Sequence, residues 1–409
     1  MSYIVAQLGA RMHYAVPRVL YGAGRLEHLF TDICASNGWP RLCRLVPRGL
    51  QSDGLRRVAS RMPAGIPRQR VTGFNIFGVR YAQRRRIAST PNELTRVSLW
   101  AGRTICRSIV RRGLGGARGV YAFNSAGLEL LEAAKATGRH TILEQTIAPH
   151  RIERALLQAE REKFPDWEGP PESDDLAEMV SNREEQEWRL ADLILCGSSF
   201  VQQGIARCGG PSHRSLVVPY GVDRSFGVPP RQDHGGPLRV LFVGAVGLRK
   251  GAPYVLAAAR ALRGRVTMRM VGCIHVSART AGLLSEAVEL TGPVPRSAMP
   301  SHFAWAEVFL LPSLCEGSAT VVYEALAAEL PVICTPNTGS VVRDGMDGVI
   351  VPAGDADAVT SALARLADSH EMRRVMAQNA RQRADGFDLT AYGDRLIDAM
   401  GFTAPGDPA

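Results

Sequence analysis

The stretch Val308–Asp344, VFLLPSLCEGSATVVYEALAAELPVICTPNTGSVVRD, decides the fold. Val308 to Leu311 is a short continuous apolar run, the pattern of a parallel strand buried on both faces, and Pro331 to Cys334 repeats it after a helical segment. A βα unit followed by the next strand predicts an open parallel sheet of the α/β class. In such sheets ligands sit outside the carboxyl ends of the strands, which puts the loop Pro312 to Gly317 beside the ligand.

Two carboxylates occupy this corner. With a helix starting near Ser318, Glu316 belongs to the entry loop and Glu324 sits two turns in, about 10 Å away along the axis. That distance excludes a shared proton or a shared metal. It suits two hydroxyl-bearing groups of one elongated ligand, each held by charge-assisted hydrogen bonds. The plainer alternative is a helix-start glutamate plus a solvated one. Val321, Val322, Ala325, Leu326 and Ala327 around Glu324 speak against that alternative.

A second corner lies in Leu238–Gly251, LRVLFVGAVGLRKG, read as a strand, a glycine-containing turn and the start of a helix over Ala252–Leu262. Gly244 and Gly247 permit close backbone approach, and Arg249 and Lys250 add two cations where a helix start already favours anions. No G-K-[ST] follows, and the spacing does not fit a dinucleotide fingerprint.

At 409 residues the chain has room for two domains. Residues 1–120 carry 21 arginines, no lysine and four acidic residues, a net +17 against +10 for the whole chain. This asymmetry points to a polyanionic partner, whether anionic lipid headgroups, a lipid diphosphate acceptor or nucleic acid, although a preference for arginine codons would produce it too. Arg103, Arg107, Arg111 and Arg112 recur at helical spacing beside Leu99, Trp100, Ile105 and Ile109, as in an interfacial membrane helix or a solvated face. No run reaches the roughly 18 apolar residues of a membrane span, and the first residues lack a basic segment followed by a long apolar one. The expectation is a cytoplasmic, unprocessed protein, either free or peripheral at the inner face of the plasma membrane. Eight scattered cysteines without a C-x-x-C pair are expected to be buried thiols.

Tyr3–Leu8, Gly119–Phe123, Thr141–Leu143 and Leu193–Cys196 have strand character, and Leu128–Thr137 and Leu176–Leu190 helical character. Arg11–Phe30 has helical periodicity interrupted by Pro17, and Ser198 and Ser199 read as caps of the next helix. His13 and Tyr14 follow the first strand, where packing is their commoner role. Pro40–Pro91 yields no ordered set of elements. Phe164–Asp175 is a polar loop, Phe226–Pro237 has linker composition, and the last eight residues are expected to fray. His150, after Pro149 at a helix start, is expected to be structural.

EGSATVVYEALAAELPVICTPNTG, with DGMDGVIVPAGD after it, resembles the E-x7-E region of the family 4 retaining glycosyltransferases, well over the second half of the chain and loosely over the first. The resemblance implies the GT-B fold, with two Rossmann-like domains whose parallel sheets face each other across a cleft. Residues 1–222 would form the acceptor side and residues 223–388 the donor side, with a terminal helix in 389–409 crossing back to the first domain. It also implies metal-independent transfer of a hexose, with retention, from a nucleotide-diphosphate sugar to a saccharide or lipid-linked acceptor in cell-surface polysaccharide or glycolipid synthesis. No cofactor beyond the donor is implied.

On that resemblance Arg249 and Lys250 clamp the donor diphosphate, Glu316 holds sugar hydroxyls and Glu324 holds the ribose. Gly9 and Gly244 lie near the diphosphate, Gly292 and Val294 beside the base, and Gly317 and Ser318 complete the donor loop. The sequence departs from the family at LGARMHY, which lacks a paired glycine, and at Tyr220, where asparagine is common. Two rivals differ in class: a nucleotide-sugar epimerase or hydrolase on the same fold, and a non-catalytic polyanion- or membrane-binding protein. Recognisable RNA- or DNA-binding modules are absent from the sequence, so no nucleic acid partner is expected.

Overall fold

Strands form where the chain runs apolar and unbroken, and they assemble into two parallel sheets. The structure, a computed structural model, describes residues 1–47, 52–223, 227–231 and 234–401. The expected fraying of residues 402–409 and part of the Phe226–Pro237 linker fall outside the described residues.

The first sheet has seven strands, β1 (Tyr3–Gln7), β2 (Leu26–Thr31), β3 (Val71–Gly73), β4 (Gly119–Phe123), β5 (His140–Gln145), β6 (Leu193–Cys196) and β7 (Ser215–Val217), in the order β3-β2-β1-β4-β5-β6-β7. The second has six, β8 (Leu238–Val243), β9 (Val266–Val271), β10 (Glu289–Gly292), β11 (Val308–Leu311), β12 (Val332–Cys334) and β13 (Gly348–Ile350), in the order β10-β9-β8-β11-β12-β13. Each sheet reverses direction of winding once, between β1 and β4 and between β8 and β11. Crevices at such switch points are where open α/β sheets bind ligands.

β11 is fully buried along its length, as its VFLL run predicts. The helix after it, Thr320–Ala327, buries Val322, Tyr323, Ala325 and Leu326 on the sheet. It ends where Glu329 turns left-handed (φ 58°) ahead of Pro331, which cannot continue a helix. The last helix, Leu389–Ala399, returns to the first domain. Its Tyr392 and Leu396 share one hydrophobic cluster with Tyr14, Val16 and Leu20, and Val222 pairs with the backbone at Phe387 and Leu389.

The structure corrects the expected helix over Arg11–Phe30. A short 3₁₀ turn and a helix, Ala15–Gly22, occupy the front, but Leu26–Thr31 is β2, with Leu26, Leu29 and Phe30 buried. Pro17 falls in the first turn, where its missing N–H costs nothing. Within Pro40–Pro91 the chain makes a helix at Asp53–Ser60, the edge strand β3 and a helix at Asn75–Ile87. The arginine-rich helix Pro91–Arg112 starts on a Thr90–Glu93 capping box and buries Leu99, Ile105, Cys106 and Ile109. Most of its apolar face is thus used inside the protein, while the arginines and the exposed Leu94 and Val110 meet solvent. All eight cysteines are free thiols, six of them buried.

Candidate active site

A cavity of about 660 Å³ lies between the two sheets at these switch points. The second sheet brings Gly244, Arg249 and Lys250 to it from the loop after β8, and Glu316, Gly317, Ser318 and Glu324 from the loop and helix after β11. The first domain adds Arg11, Met12, His13, Thr146 and Ile147. Gly9, Gly292 and Val294 are not brought to the wall. The Gly9 N–H donates to Asp32 Oδ1 at 3.0 Å, Gly292 ends β10, and Val294 packs partly against the core.

Arg249 and Lys250 sit on the 3₁₀ turn Leu248–Lys250 and converge on one carboxylate. Lys250 Nζ lies 2.7 Å, and Arg249 Nη1 3.0 Å, from Glu316 Oε1. Gly244 makes this possible. It has φ 149°, and a Cβ there would stand 2.5 Å from Lys250 Cδ, so only glycine lets the lysine stem cross the end of β8. Burial pushes the Glu316 carboxyl up, but Lys250 and Arg249 outweigh it and hold the group below its ordinary value. Burial depresses Lys250 by more than Glu316 restores. Arg249 Nε also lies 3.7 Å from Glu153 Oε1 of the first domain.

Glu324 pairs with a different cation, Arg296 Nη2, at 2.9 Å. Burial raises its carboxyl and Arg296 only partly offsets that. The two glutamates are therefore separate stations in one cavity, each already neutralised. Among the described residues no three His, Cys, Asp or Glu side chains are grouped to hold a metal ion.

The first-domain wall is made differently. Met12, His13 and Tyr14 all take left-handed backbone angles (φ 44°, 52° and 61°), each at a cost of about 1–2 kcal/mol for a residue with a Cβ. This turn faces Arg11, Met12 and His13 to the cavity and buries Tyr14. Arg11 donates to Tyr220 Oη (3.3 Å) and lies 3.7 Å from the buried Glu144, which also accepts from Tyr121 (2.5 Å) and Tyr220 (2.7 Å). Tyr220 thus links Arg11 to the acid beneath the cavity floor.

Arg11 and Arg296 were not reached from the sequence. The only signal was position: each follows a strand end in its own domain by a few residues. Gln145 points inward, bonded to Trp188 and Glu184, and Thr146 lines the cavity, held by Asn124. His150 is outside the wall, with Nε2 2.5 Å from Glu172.

Residues 237–369 match the family described as Glycosyl transferases group 1. The amylovoran biosynthesis glycosyltransferase AmsK of Erwinia amylovora is 29% identical over 192 residues, 43% of this chain and 47% of that protein. The GDP-mannose-dependent alpha-(1-6)-phosphatidylinositol monomannoside mannosyltransferase of Mycolicibacterium smegmatis is 29% identical over 237 residues, 51% of this chain and 62% of that protein. The chain spans about half the length of the curated relatives it matches. Anabaena HepE, solved with UDP and glucose, superposes with a TM-score of 0.62 over 98% of this chain and 99% of its own at 14% identity, which establishes the GT-B fold. Over residues 237–369, the second sheet and the helices around it, the chain is similar to the group 1 glycosyltransferases.

Proposed function

We propose that the chain transfers a hexose, with retention and without a metal, from a nucleotide-diphosphate sugar to a saccharide or lipid-linked acceptor in cell-surface polysaccharide or glycolipid synthesis. The observation that carries this is the convergence of Arg249, Lys250, Glu316 and Glu324 on one interdomain cavity. Its parts match an activated sugar. Departure of the diphosphate builds negative charge, and two cations fixed at that point stabilise the transition state more than the ground state. When the diphosphate takes over Lys250 and Arg249, Glu316 is released to accept from sugar hydroxyls, and Glu324 does the same for the ribose. The leaving phosphate, on the acceptor's own face, receives the acceptor hydroxyl proton, so no protein nucleophile is needed and the anomeric configuration is kept. Burial between two domains excludes the water that would hydrolyse the donor.

A thermal-shift panel of sugar nucleotides, followed by NMR assignment of the product's anomeric configuration, tests this. Stabilisation by one donor and a retained configuration are expected. Inversion would contradict the mechanism, and release of free sugar or an epimer from every acceptor tried would favour the rival enzyme.

The same reading places the enzyme at the cytoplasmic face of the plasma membrane. What supports it is an arginine-rich surface that also exposes Trp39 (46%), Leu42 (61%), Leu45 (78%), Ile76 (70%) and Ile87 (80%). Apolar side chains interspersed with cations suit anionic headgroups. Sedimentation with anionic but not neutral vesicles is expected, and equal binding to both would remove the electrostatic part.

A further inference from the structure

We propose that Glu168 is a positioning residue that sets the orientation of Arg249 and Lys250, so that aligning the cations depends on contact between the two domains. This rests on the diphosphate role given to those cations above.

The segment Phe164–Glu168 lies between the helices His150–Lys163 and Asp174–Leu190, in the part of the chain that also forms the first sheet. It nevertheless docks on the second domain. The Phe164 ring meets Tyr254 edge-on at 5.9 Å and packs against Trp167 at 5.4 Å. Asp166 turns left-handed (φ 63°), and its carbonyl accepts from the Ser277 hydroxyl (2.9 Å) while the Trp167 carbonyl accepts from the Ser277 N–H (2.7 Å).

The next side chain reaches the cationic turn. Glu168 Oε1 accepts from the Leu248 N–H at 2.6 Å, and Glu168 Oε2 lies 3.7 Å from Arg161. Leu248 opens the 3₁₀ turn that carries Arg249 and Lys250. The first N–H of a helical turn has no partner within the turn, and here a carboxylate from the other domain supplies one. Gly247 is what admits that carboxylate. Its backbone is extended, but a Cβ there would stand 2.5 Å from Glu168 Oε1. The helix preceding this segment also presents Glu153 to Arg249. Docking of Phe164–Glu168 and orientation of the cations are therefore one event, as expected where domain closure completes a site.

The test combines turnover with amide exchange at Leu248. Glu168→Ala should lower kcat about tenfold while donor KM stays within about twofold. Glu168→Gln, which keeps the acceptor oxygen, should recover most of that loss. Gly247→Ala should reproduce the loss in the otherwise unchanged protein but add nothing to Glu168→Ala, where its clash partner is gone. The Leu248 amide should exchange faster in Glu168→Ala and Gly247→Ala and at the original rate in Glu168→Gln. Unchanged kcat in Glu168→Ala, additive losses in the double variant, or an unaltered Leu248 amide would each overturn the proposal. Exchange is read without substrate, so failure of every sugar nucleotide to bind would count against the donor reading separately.

Discussion

The two walls of the cavity are made of different material. On the second-domain wall, Arg249, Lys250 and Arg296 are tied to Glu316 and Glu324, so positive and negative charges stand in preformed pairs. On the first-domain wall, Arg11 and His13 stand on a strained left-handed turn beside Thr146 and Ile147. Paired charges can be exchanged for those of a ligand without leaving a buried charge alone, which suits the diphosphate common to the donors proposed above. A strained turn carries specificity in its shape, which suits an acceptor that differs from one enzyme to the next. Under the proposed function the second-domain wall would govern turnover and the first-domain wall would govern acceptor choice.

The largest expected effect is on the donor wall. Lys250→Ala should lower kcat about 100-fold, in line with loss of one donor to developing negative charge. Steady-state kinetics check this, and unchanged kinetics in a folded variant would end the clamp role. Next comes the seam between the walls, where Gly317 of the second domain lies against the Thr146 carbonyl of the first so closely that a Cβ would overlap it. Gly317→Ala should cost roughly 1–3 kcal/mol by overpacking, seen as a lower melting temperature and weaker donor binding together. If only donor binding changed, the seam would not be closed as described.

Glu324→Gln should weaken donor affinity about tenfold, the cost of replacing a charged acceptor of hydrogen bonds. Here pH gives a second readout. Burial raises the Glu324 carboxyl above 4.5, so on acidification it takes up its proton earlier than an exposed glutamate would. Donor affinity should fall as pH drops through that raised value, and Glu324→Gln should remove the dependence. The sign for folding is the reverse. A carboxyl raised in the folded state disfavours folding once ionised, so Glu324→Gln should add slightly to stability above that pH. The smallest effect is expected from Arg11→Ala, a rise of about threefold in acceptor KM with donor affinity unchanged. Glu144 keeps its two tyrosine donors in that variant. A change in donor affinity instead would erase the division between the walls.

The same contrast explains what could be read from the sequence. The corner Val308–Asp344 was legible because its information is local: two apolar runs, a helix between them and two acids at fixed spacing. β8 was legible for the same reason, whereas the short edge strands β10 and β13 were not read as strands. β2 was not, because Glu27 and His28 interrupt its apolar run and the preceding helix has similar periodicity. β3 is only three residues long, at the sheet edge, in a stretch of arginines and prolines. The interfacial character of Pro91–Arg112 looked available for a lipid surface, yet Leu99, Ile105, Cys106 and Ile109 are buried inside the first domain. Arg11 was invisible because its partners Glu144 and Tyr220 are far along the chain, and Glu168 because its acceptor role requires Gly247 and Leu248 of the other domain.

The central claim is that one activated sugar spans both acidic stations, and a crystal structure with the sugar nucleotide that most raises the melting temperature tests it directly. Diphosphate oxygens should be bonded to Lys250 and Arg249, with the Lys250–Glu316 pair opened, Glu316 on the sugar and Glu324 on the ribose. A diphosphate bound elsewhere, with both ion pairs intact, would contradict it.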